Sequence, residues 1–310
     1  MKIFKPKFWN SKKLHFFSLL LWPISFIIQI FVFIKIKVSK KKKIGIPVIC
    51  VGNIYLGGTG KTPLSIKIVS LLKKLHKNPA IIKKFYKEHY DEIELIKDKI
   101  GNIFCDKSRI LAANKAIKKG FNVLVFDDGY QDYNIKKDLN ILCFNEKQLI
   151  GNGFTIPSGP LRESLRIVKK CQIIFINGNK NKSFEEVILS ISKNTNIYYT
   201  KYIPVNIEKF INKKFIAFAG IGNPDNFFDL LIENNINLEE KIHFPDHYSY
   251  SQKDIDKIIQ KANKKSAEII TTEKDFFRIK NLNHRNINYL AINVNIEQEE
   301  KFIEELKNYL

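Results

Sequence analysis

The feature that most constrains the fold is a glycine-rich stretch at 52–62, which reads GNIYLGGTGKT. It follows an apolar run at 47–51 that predicts a buried strand, and it opens a helical periodicity over 61–75. Glycines between a strand and a helix let backbone N–H groups face phosphate oxygens, and the helix N-terminus adds a favourable dipole. The stretch therefore predicts a phosphate-binding loop within an α/β sheet.

Individual residues of this loop have predictable roles. Lys61 can reach the β- and γ-phosphates of ATP, and the Thr62 hydroxyl can bind Mg²⁺. The common spacing places glycine six residues before the lysine, where this chain has Tyr55, so the loop is a variant form. ATP and Mg²⁺ are the expected ligands. The residues predicted to bind the nucleotide are Gly57, Gly58, Thr59, Gly60, Lys61 and Thr62.

Further along the chain, an apolar strand predicted at 123–126 ends in Asp127 and Asp128. Aspartate often follows a strand simply because it favours turns, but after a phosphate loop a carboxylate here is suited to support the metal. Short strands alternate with helices over 44–200, one helix being predicted from Asp106 to Lys119. This rhythm predicts a P-loop NTPase-like, mostly parallel sheet with helices on both faces, and a second series over 201–310 predicts a smaller α/β domain.

The N-terminal segment, residues 1–43, is predicted to be a basic membrane anchor. Residues 16–34 are uncharged and as a helix would extend about 28 Å, close to the ~30 Å hydrocarbon core of a bilayer. The segment holds eleven lysines and no acidic residue, about half of the net charge of +21. Because these lysines flank the apolar run, they indicate a membrane surface rather than nucleic acid. Pro23 and Gln29 leave open whether the helix spans the bilayer or lies in one leaflet.

Seven separated motifs, taken together, resemble the tetraacyldisaccharide 4′-kinases of lipid A biosynthesis. In chain order they are PVICVGNIYLGGTGKTP at 47–63, the pair Asp91-Glu92, VFDDGYQD at 125–132, GNGFTIPSGPLRES at 151–164, FAGIGNPDNFF at 218–228, FPDHYSY at 244–250 and TTEKD at 271–275. The resemblance implies transfer of the ATP γ-phosphoryl group to the 4′-hydroxyl of a membrane-embedded tetraacyldisaccharide 1-phosphate, giving lipid IVA. It also implies an active site between the two domains, on the cytoplasmic face of the inner membrane.

The resemblance assigns roles to further residues. Asp91 would be the catalytic acidic residue, His247 would pair with it, and Lys61 would act on the phosphates. Glu92 would join Thr62 and Asp127 in binding the metal. Asp128 and Arg162 would support phosphate and substrate.

The chain departs from the family pattern just before the acidic pair. The family usually has a Ser-Arg-Gly-Tyr run and a longer insert, where residues 81–96 here read IIKKFYKEHYDEIELI. Asp98 and Glu88 therefore remain alternatives to Asp91.

Two other classes of function compete with the kinase. One is a membrane-associated variant P-loop ATPase that acts as a nucleotide switch, although such proteins usually carry a lysine where this chain has Leu56. The other is a membrane-surface scaffold, which would have no use for the Gly-Lys-Thr sequence.

Overall fold

A computed structural model describes residues 5–11, 13–86, 89–284 and 286–310. The chain divides into two compact units. We call Lys5–Phe85, Asn102–Lys201 and Val294–Leu310 the core unit, and Tyr86–Gly101 with Tyr202–Asn293 the second unit.

The mostly parallel α/β fold predicted from the sequence is confirmed. The strands are β1 Val48–Gly52, β2 Pro79–Lys84, β3 Ile103–Asp106, β4 Val123–Asp127, β5 Leu139–Asn145, β6 Ile173–Asn177, β7 Asn196–Pro204, β8 Lys214–Ala219, β9 Asn237–His243, β10 Glu268–Thr272, β11 Ile287–Leu290 and β12 Ile292–Ile296. The α-helices are α1 Phe16–Val38, α2 Lys61–Lys74, α3 Tyr90–Ile100, α4 Arg109–Lys118, α5 Lys182–Ile191, α6 Pro224–Glu233, α7 Gln252–Lys264, α8 Glu273–Ile279 and α9 Glu299–Lys307.

The core unit is organised around an eight-stranded sheet in the order β12-β7-β6-β5-β1-β4-β2-β3. Strand β1 pairs in parallel with β4 on one side and β5 on the other, and all five of its residues are buried. Continuous burial on both faces explains why β1 and β4 read as unbroken apolar runs in the sequence. Because β4 and β5 lie on opposite sides of β1, the carboxyl end of β1 is a switch point, where α/β sheets bind ligands.

The second unit contains a four-stranded sheet in the order β11-β10-β8-β9, with parallel pairings throughout that order. Helix α7 begins with a capping box, in which Ser251 and Asp254 satisfy each other's backbone N–H groups. Helix α8 follows β10 directly, and the Thr272 side chain caps its first turn. This strand-to-helix step places the residues after Thr272 at the carboxyl edge of the sheet.

One predicted helix boundary was wrong. The helix expected over Asp106 to Lys119 begins at Arg109, because Ser108 rather than Asp106 caps it. Asp106 is instead the last residue of β3, and its carboxylate pairs with Lys115 at 2.7 Å. The cap therefore belongs to the residue whose hydroxyl accepts from the Leu111 N–H.

Helix α1 is long and apolar enough to cross a membrane by its length and composition. It continues through Pro23 without a break. One narrow stripe of α1 is polar and buried, and it packs on the loop at 151–164: Ser25 Oγ donates to the Thr155 carbonyl oxygen at 2.9 Å. Most other side chains of α1 are large, apolar and exposed. An apolar helix exposed in this way indicates association with a membrane.

Candidate functional site

The predicted phosphate loop connects β1 to α2 in the core unit. Gly57 and Gly60 adopt φ angles of 128° and 90°, which glycine accommodates without strain, and Gly60 is the N-cap of α2. The Asn53 amide donates to the Tyr55 and Gly57 carbonyl oxygens at 2.6 and 3.1 Å and so fixes the curl of the loop. No acidic residue lies in the first turn of α2. The loop therefore presents a helix N-terminus whose dipole favours an anion.

Two polar side chains of this loop are placed to serve a phosphate ligand. Thr59 Oγ1 is buried and has no hydrogen-bond partner within the part of the chain that the structure describes. Lys61 Nζ lies 3.7 Å from Asp128 Oδ1, at the edge of ion-pair distance. A buried hydroxyl without a partner is unfavourable unless a ligand completes its hydrogen bonding. The residues present therefore fit a bound phosphate chain.

Asp127, the last residue of β4, is buried beside the start of α2. Its Oδ2 accepts from Thr62 Oγ1 at 3.0 Å and from Lys83 Nζ at 2.5 Å, and its Oδ1 accepts from Ser65 Oγ at 3.1 Å. The carboxylate is thus held by three donors from α2 and β2. Lys83 was not predicted, although a lysine within a buried strand is a signal, because such a charge requires a partner.

Asp128 follows Asp127 with a left-handed φ of 54°. Arg162 Nη1 donates to its Oδ1 at 3.3 Å, and Arg109 Nη2 donates to its carbonyl oxygen at 2.5 Å. The structure therefore brings Asp128 and Arg162 together with Lys61 in one charged network of the core unit. Arg109, a further member of this network, was missed because the sequence places it in an ordinary amphipathic helix.

The second unit holds the other predicted residues. Asp91, in the first turn of α3, is 3% exposed, and its Oδ2 accepts from Arg278 Nε and Nη2 at 2.9 and 2.6 Å. Its Oδ1 is buried and accepts no hydrogen bond from the described residues. Arg278 therefore holds one oxygen of Asp91 with a two-pronged contact and leaves the other available.

His247 lies beside Asp91 but is not hydrogen-bonded to it. The His247 Nδ1 to Asp91 Oδ1 distance is 3.9 Å, too long for a hydrogen bond. Arg278 Nη2 approaches the same nitrogen at 3.5 Å, and the His89 ring stacks on His247 with centroids 4.7 Å apart. His247 also has a left-handed φ of 54°, a conformation that histidine adopts mainly where function or packing requires it.

Arg278 is the residue of this cluster that the sequence did not reveal. Its Nη1 also donates to the Gly220 carbonyl oxygen at 2.5 Å and to Asp275 Oδ1 at 2.7 Å. Burial alone would lower the pKa of the guanidinium, but Asp275 and Asp91 raise it above its ordinary value. The only sequence signal was its position one helical turn after the TTEKD motif, on the same face as Asp275.

Asp275 supports the Asp91–Arg278 pair through several further hydrogen bonds. Its oxygens accept from the Gly220 N–H at 3.0 Å, the Thr272 hydroxyl at 2.7 Å and the Tyr250 hydroxyl at 2.9 Å. Burial, with Asp275 adding to it, raises the pKa of Tyr250, so this phenol stays a donor. The turn after β8 and the start of α8 are thereby joined through one carboxylate.

The remaining predicted residues are Glu92 and the two alternatives to Asp91. Glu92 pairs with Lys274 at 2.6 Å in the second unit. Asp98 also lies in α3, and Glu88 lies outside the described residues.

For Mg²⁺, the best-placed oxygen of the core unit is that of Thr62. Its hydroxyl hydrogen points to Asp127, which leaves the lone pairs of Oγ1 available to a cation. Within residues 5–11, 13–86, 89–284 and 286–310, no group of three or more His, Cys, Asp or Glu could hold a metal by itself. Mg²⁺ is usually bound by few protein ligands together with substrate phosphates and water.

The comparisons with known proteins agree with one another. Residues 17–310 match the family model described as tetraacyldisaccharide-1-P 4′-kinase. A tetraacyldisaccharide 4′-kinase of Pelagibacter ubique (strain HTCC1062) is 46% identical over 99% of this chain and 98% of its own. One of Rickettsia bellii (strain OSU 85-389) is 32% identical over 90% of each chain. The crystal structure of "apo" form LpxK from Aquifex aeolicus in complex with ATP superimposes with a TM-score of 0.74, covering 94% of this chain and 99% of that one at 24% identity. This last likeness bears on the fold.

Proposed function

Because this chain belongs to the tetraacyldisaccharide-1-P 4′-kinase family, we propose specific residues through which it carries out the family's reaction. The protein is a kinase of lipid A biosynthesis that transfers the γ-phosphoryl group of ATP to the 4′-hydroxyl of tetraacyldisaccharide 1-phosphate. The nucleotide-switch alternative is not favoured, since the relatives named above are all kinases.

The observation that carries the nucleotide half of the proposal is the phosphate loop. Backbone N–H groups from Gly57 to Thr62 and the Thr59 hydroxyl would bind the triphosphate, and Lys61 would neutralise charge as it develops on the γ-phosphoryl oxygens. The Thr62 hydroxyl would hold Mg²⁺, which when bound would neutralise charge on the phosphates. Asp127 would orient the Thr62 side chain by accepting a hydrogen bond from its hydroxyl. Arg162, held by Asp128, would stabilise phosphate charge.

The acceptor half of the proposal rests on Asp91. Its Oδ1 would accept the proton of the 4′-hydroxyl as the sugar oxygen forms a bond to the γ-phosphorus and the bond to the β,γ-bridging oxygen breaks, so that ADP leaves. Arg278 would fix the Asp91 carboxylate by holding Oδ2. His247, which lies beside Asp91, would stabilise this residue as it accepts the proton. We assign Asp91 this role because its Oδ1 is buried and accepts no hydrogen bond from any residue that the structure describes.

A separate part of the proposal concerns the membrane and α1. Ser25 and Gln29 of this helix contact Ser158 and the Arg162 carbonyl oxygen on the irregular loop at 151–164. Irregular backbone is not tolerated among lipid tails, so a helix packed on such a loop is expected to lie in one leaflet with its apolar face in lipid. We place the catalytic part on the cytoplasmic face of the inner membrane, because that compartment supplies ATP.

The direct test supplies purified protein in detergent with ATP, Mg²⁺ and the disaccharide 1-phosphate acceptor. We expect one new phosphate on the distal sugar for each ADP formed. The Lys61→Ala variant serves as the inactive control. ATP hydrolysis with no phosphate on the acceptor would contradict the proposal and favour a nucleotide switch.

A further inference from the structure

Lys83 is a charged residue in a part of the core where charge is unusual. It lies on β2, which pairs in parallel with β4, and its side chain is only 3% exposed. Its Nζ donates to Asp127 Oδ2 at 2.5 Å, and the Asp127 side chain is fully buried. Lysine is almost never buried unless it is paired, so this contact is a fixed feature of the folded core unit.

The position of Lys83 matters because Thr62 shares the same carboxylate oxygen. Thr62 Oγ1 donates to Asp127 Oδ2 at 3.0 Å, while Ser65 occupies Oδ1. Both oxygens of Asp127 therefore have donors, and its negative charge is already balanced by a protein cation. A carboxylate neutralised in this way attracts a divalent cation less strongly than a free one would.

The wider network around the phosphate loop is also rich in positive charge. Lys61 lies 3.7 Å and Arg162 lies 3.3 Å from Asp128 Oδ1, and Arg109 Nη1 lies 3.6 Å from Asp132 Oδ2. With the Lys83–Asp127 pair added, these contacts join four cationic side chains to three carboxylates. Two cationic side chains, Lys61 and Arg162, thus share the Asp128 carboxylate beside the loop, an arrangement suited to a polyanion.

We propose that the Lys83 ammonium supplies part of the positive charge that this type of site draws from magnesium, so that nucleotide binding by this chain depends only weakly on the divalent cation. The inference rests on the proposed function, in which residues 57–62 bind ATP. It concerns nucleotide affinity and not the transfer step. Lys83 acts as a positioning and charge-balancing residue through Asp127 and Thr62.

The test compares ATP affinity in excess Mg²⁺ and in EDTA by titration calorimetry, with no acceptor present. For the unchanged protein we expect the two dissociation constants to agree within about threefold. In Lys83→Ser, affinity in EDTA should fall about tenfold or more while affinity in Mg²⁺ changes little, because the cation can then replace the lost ammonium. Lys118→Ser, which removes an exposed lysine from α4 of the same unit, should behave like the unchanged protein.

A second readout uses no nucleotide. Mg²⁺ alone should raise the Tm of Lys83→Ser, whose Asp127 then lacks its cation, but not that of the unchanged protein or of the double variant Lys83→Ser/Asp127→Asn. If Lys83→Ser folds only in Mg²⁺, that result also supports the proposal.

If Lys83→Ser folds neither in Mg²⁺ nor in EDTA, the ATP affinities of the unchanged protein alone test the proposal. A preference of more than about 100-fold for Mg²⁺-bound over metal-free ATP would overturn the role of Lys83 while leaving the kinase assignment intact. Failure to bind ATP in both conditions would instead overturn the nucleotide half of the proposed function, and this inference with it.

Discussion

The phosphate loop of the core unit and the Asp91 cluster of the second unit are built in opposite ways. All groups of the loop come from one run of eleven residues, 52–62. Many of them are backbone N–H groups, which the glycines and the N-terminus of α2 turn toward the phosphate site. The Asp91 cluster consists of the side chains of Asp91 from α3, His247 from the segment after β9, and Asp275 and Arg278 from α8, together with the Gly220 backbone in the turn after β8. Local geometry suffices for the first site, whereas the second exists only in the folded unit.

The buried carboxylates of the two sites also differ in what they leave unsatisfied. Both oxygens of Asp127 accept hydrogen bonds, so this residue is equipped to hold Thr62 in place. Asp91 is held through Oδ2 and keeps Oδ1 without a described partner. In our proposal, this buried Oδ1 is the oxygen that remains available to a substrate hydroxyl. We therefore propose a supporting role for Asp127 and a chemical role for Asp91.

The largest effect on activity should come from a substitution in the phosphate loop. We expect Lys61→Ala to reduce phosphate transfer by about 10³–10⁵-fold, because the charge that stabilises the γ-phosphoryl transition state is lost. Transfer of labelled phosphate to the acceptor measures the loss, with Lys118→Ala as the exposed-lysine control. A variant that retains a tenth of the activity would mean that the loop binds something other than the reacting phosphate.

The next effect separates chemistry from nucleotide binding. Asp91→Asn keeps the shape of the side chain but removes the proton acceptor, and we expect kcat to fall about 10²–10⁴-fold. ATP affinity should be unchanged, because the residues proposed to bind the triphosphate are those of the loop. Single-turnover transfer and ATP titration of the same preparation give both quantities. Equal losses in the two measurements would contradict the separation of roles, and Asp98→Asn tests the alternative acid.

These differences explain what the sequence could predict. Strands β1 and β4 were predicted correctly because burial on both faces makes them unbroken apolar runs, and the loop between β1 and α2 is a local pattern. The exposed strand β9, whose sequence NLEEKIH has little apolar alternation, was not predicted. Its pairing with β8 supplies the stability that its own side chains do not indicate.

The Asp91 region was harder to predict for a related reason. The buried face of α3 consists of Asp91, Leu95 and Ile96, so a carboxylate interrupts the apolar stripe by which a helix is recognised. The pairing of Asp91 with Arg278 joins residues that are 187 positions apart, and no local pattern encodes it. Lys83 was not predicted, because its partner Asp127 lies 44 positions away on another strand.

A smaller effect tests whether Arg278 positions Asp91. Arg278→Lys keeps the charge, so Asp91 and Asp275 are not left unbalanced, but one ammonium cannot reproduce the forked contacts of a guanidinium. We expect kcat to fall about 10–100-fold because the carboxylate is misplaced. KM values should change by less than about threefold, and the Tm should change little. Arg166→Lys, at an exposed site, is the control. Unchanged kcat, or a loss of kcat that only follows a lower Tm, would contradict a positioning role.

The smallest effect compares the support beneath the two carboxylates. Ser65→Ala and Tyr250→Phe each remove one hydroxyl from a buried carboxylate, Asp127 and Asp275 respectively. Because hydrogen bonds to charged groups are worth more than neutral ones, each change should lower the free energy of unfolding by about 1.5–3 kcal/mol, measured by urea denaturation. Hydrogen exchange should then speed up in α2 and β4 for Ser65→Ala, and in β8 and α8 for Tyr250→Phe. If either substitution loosened the other set of elements instead, the two carboxylate networks could not be the separate supports that their contacts describe.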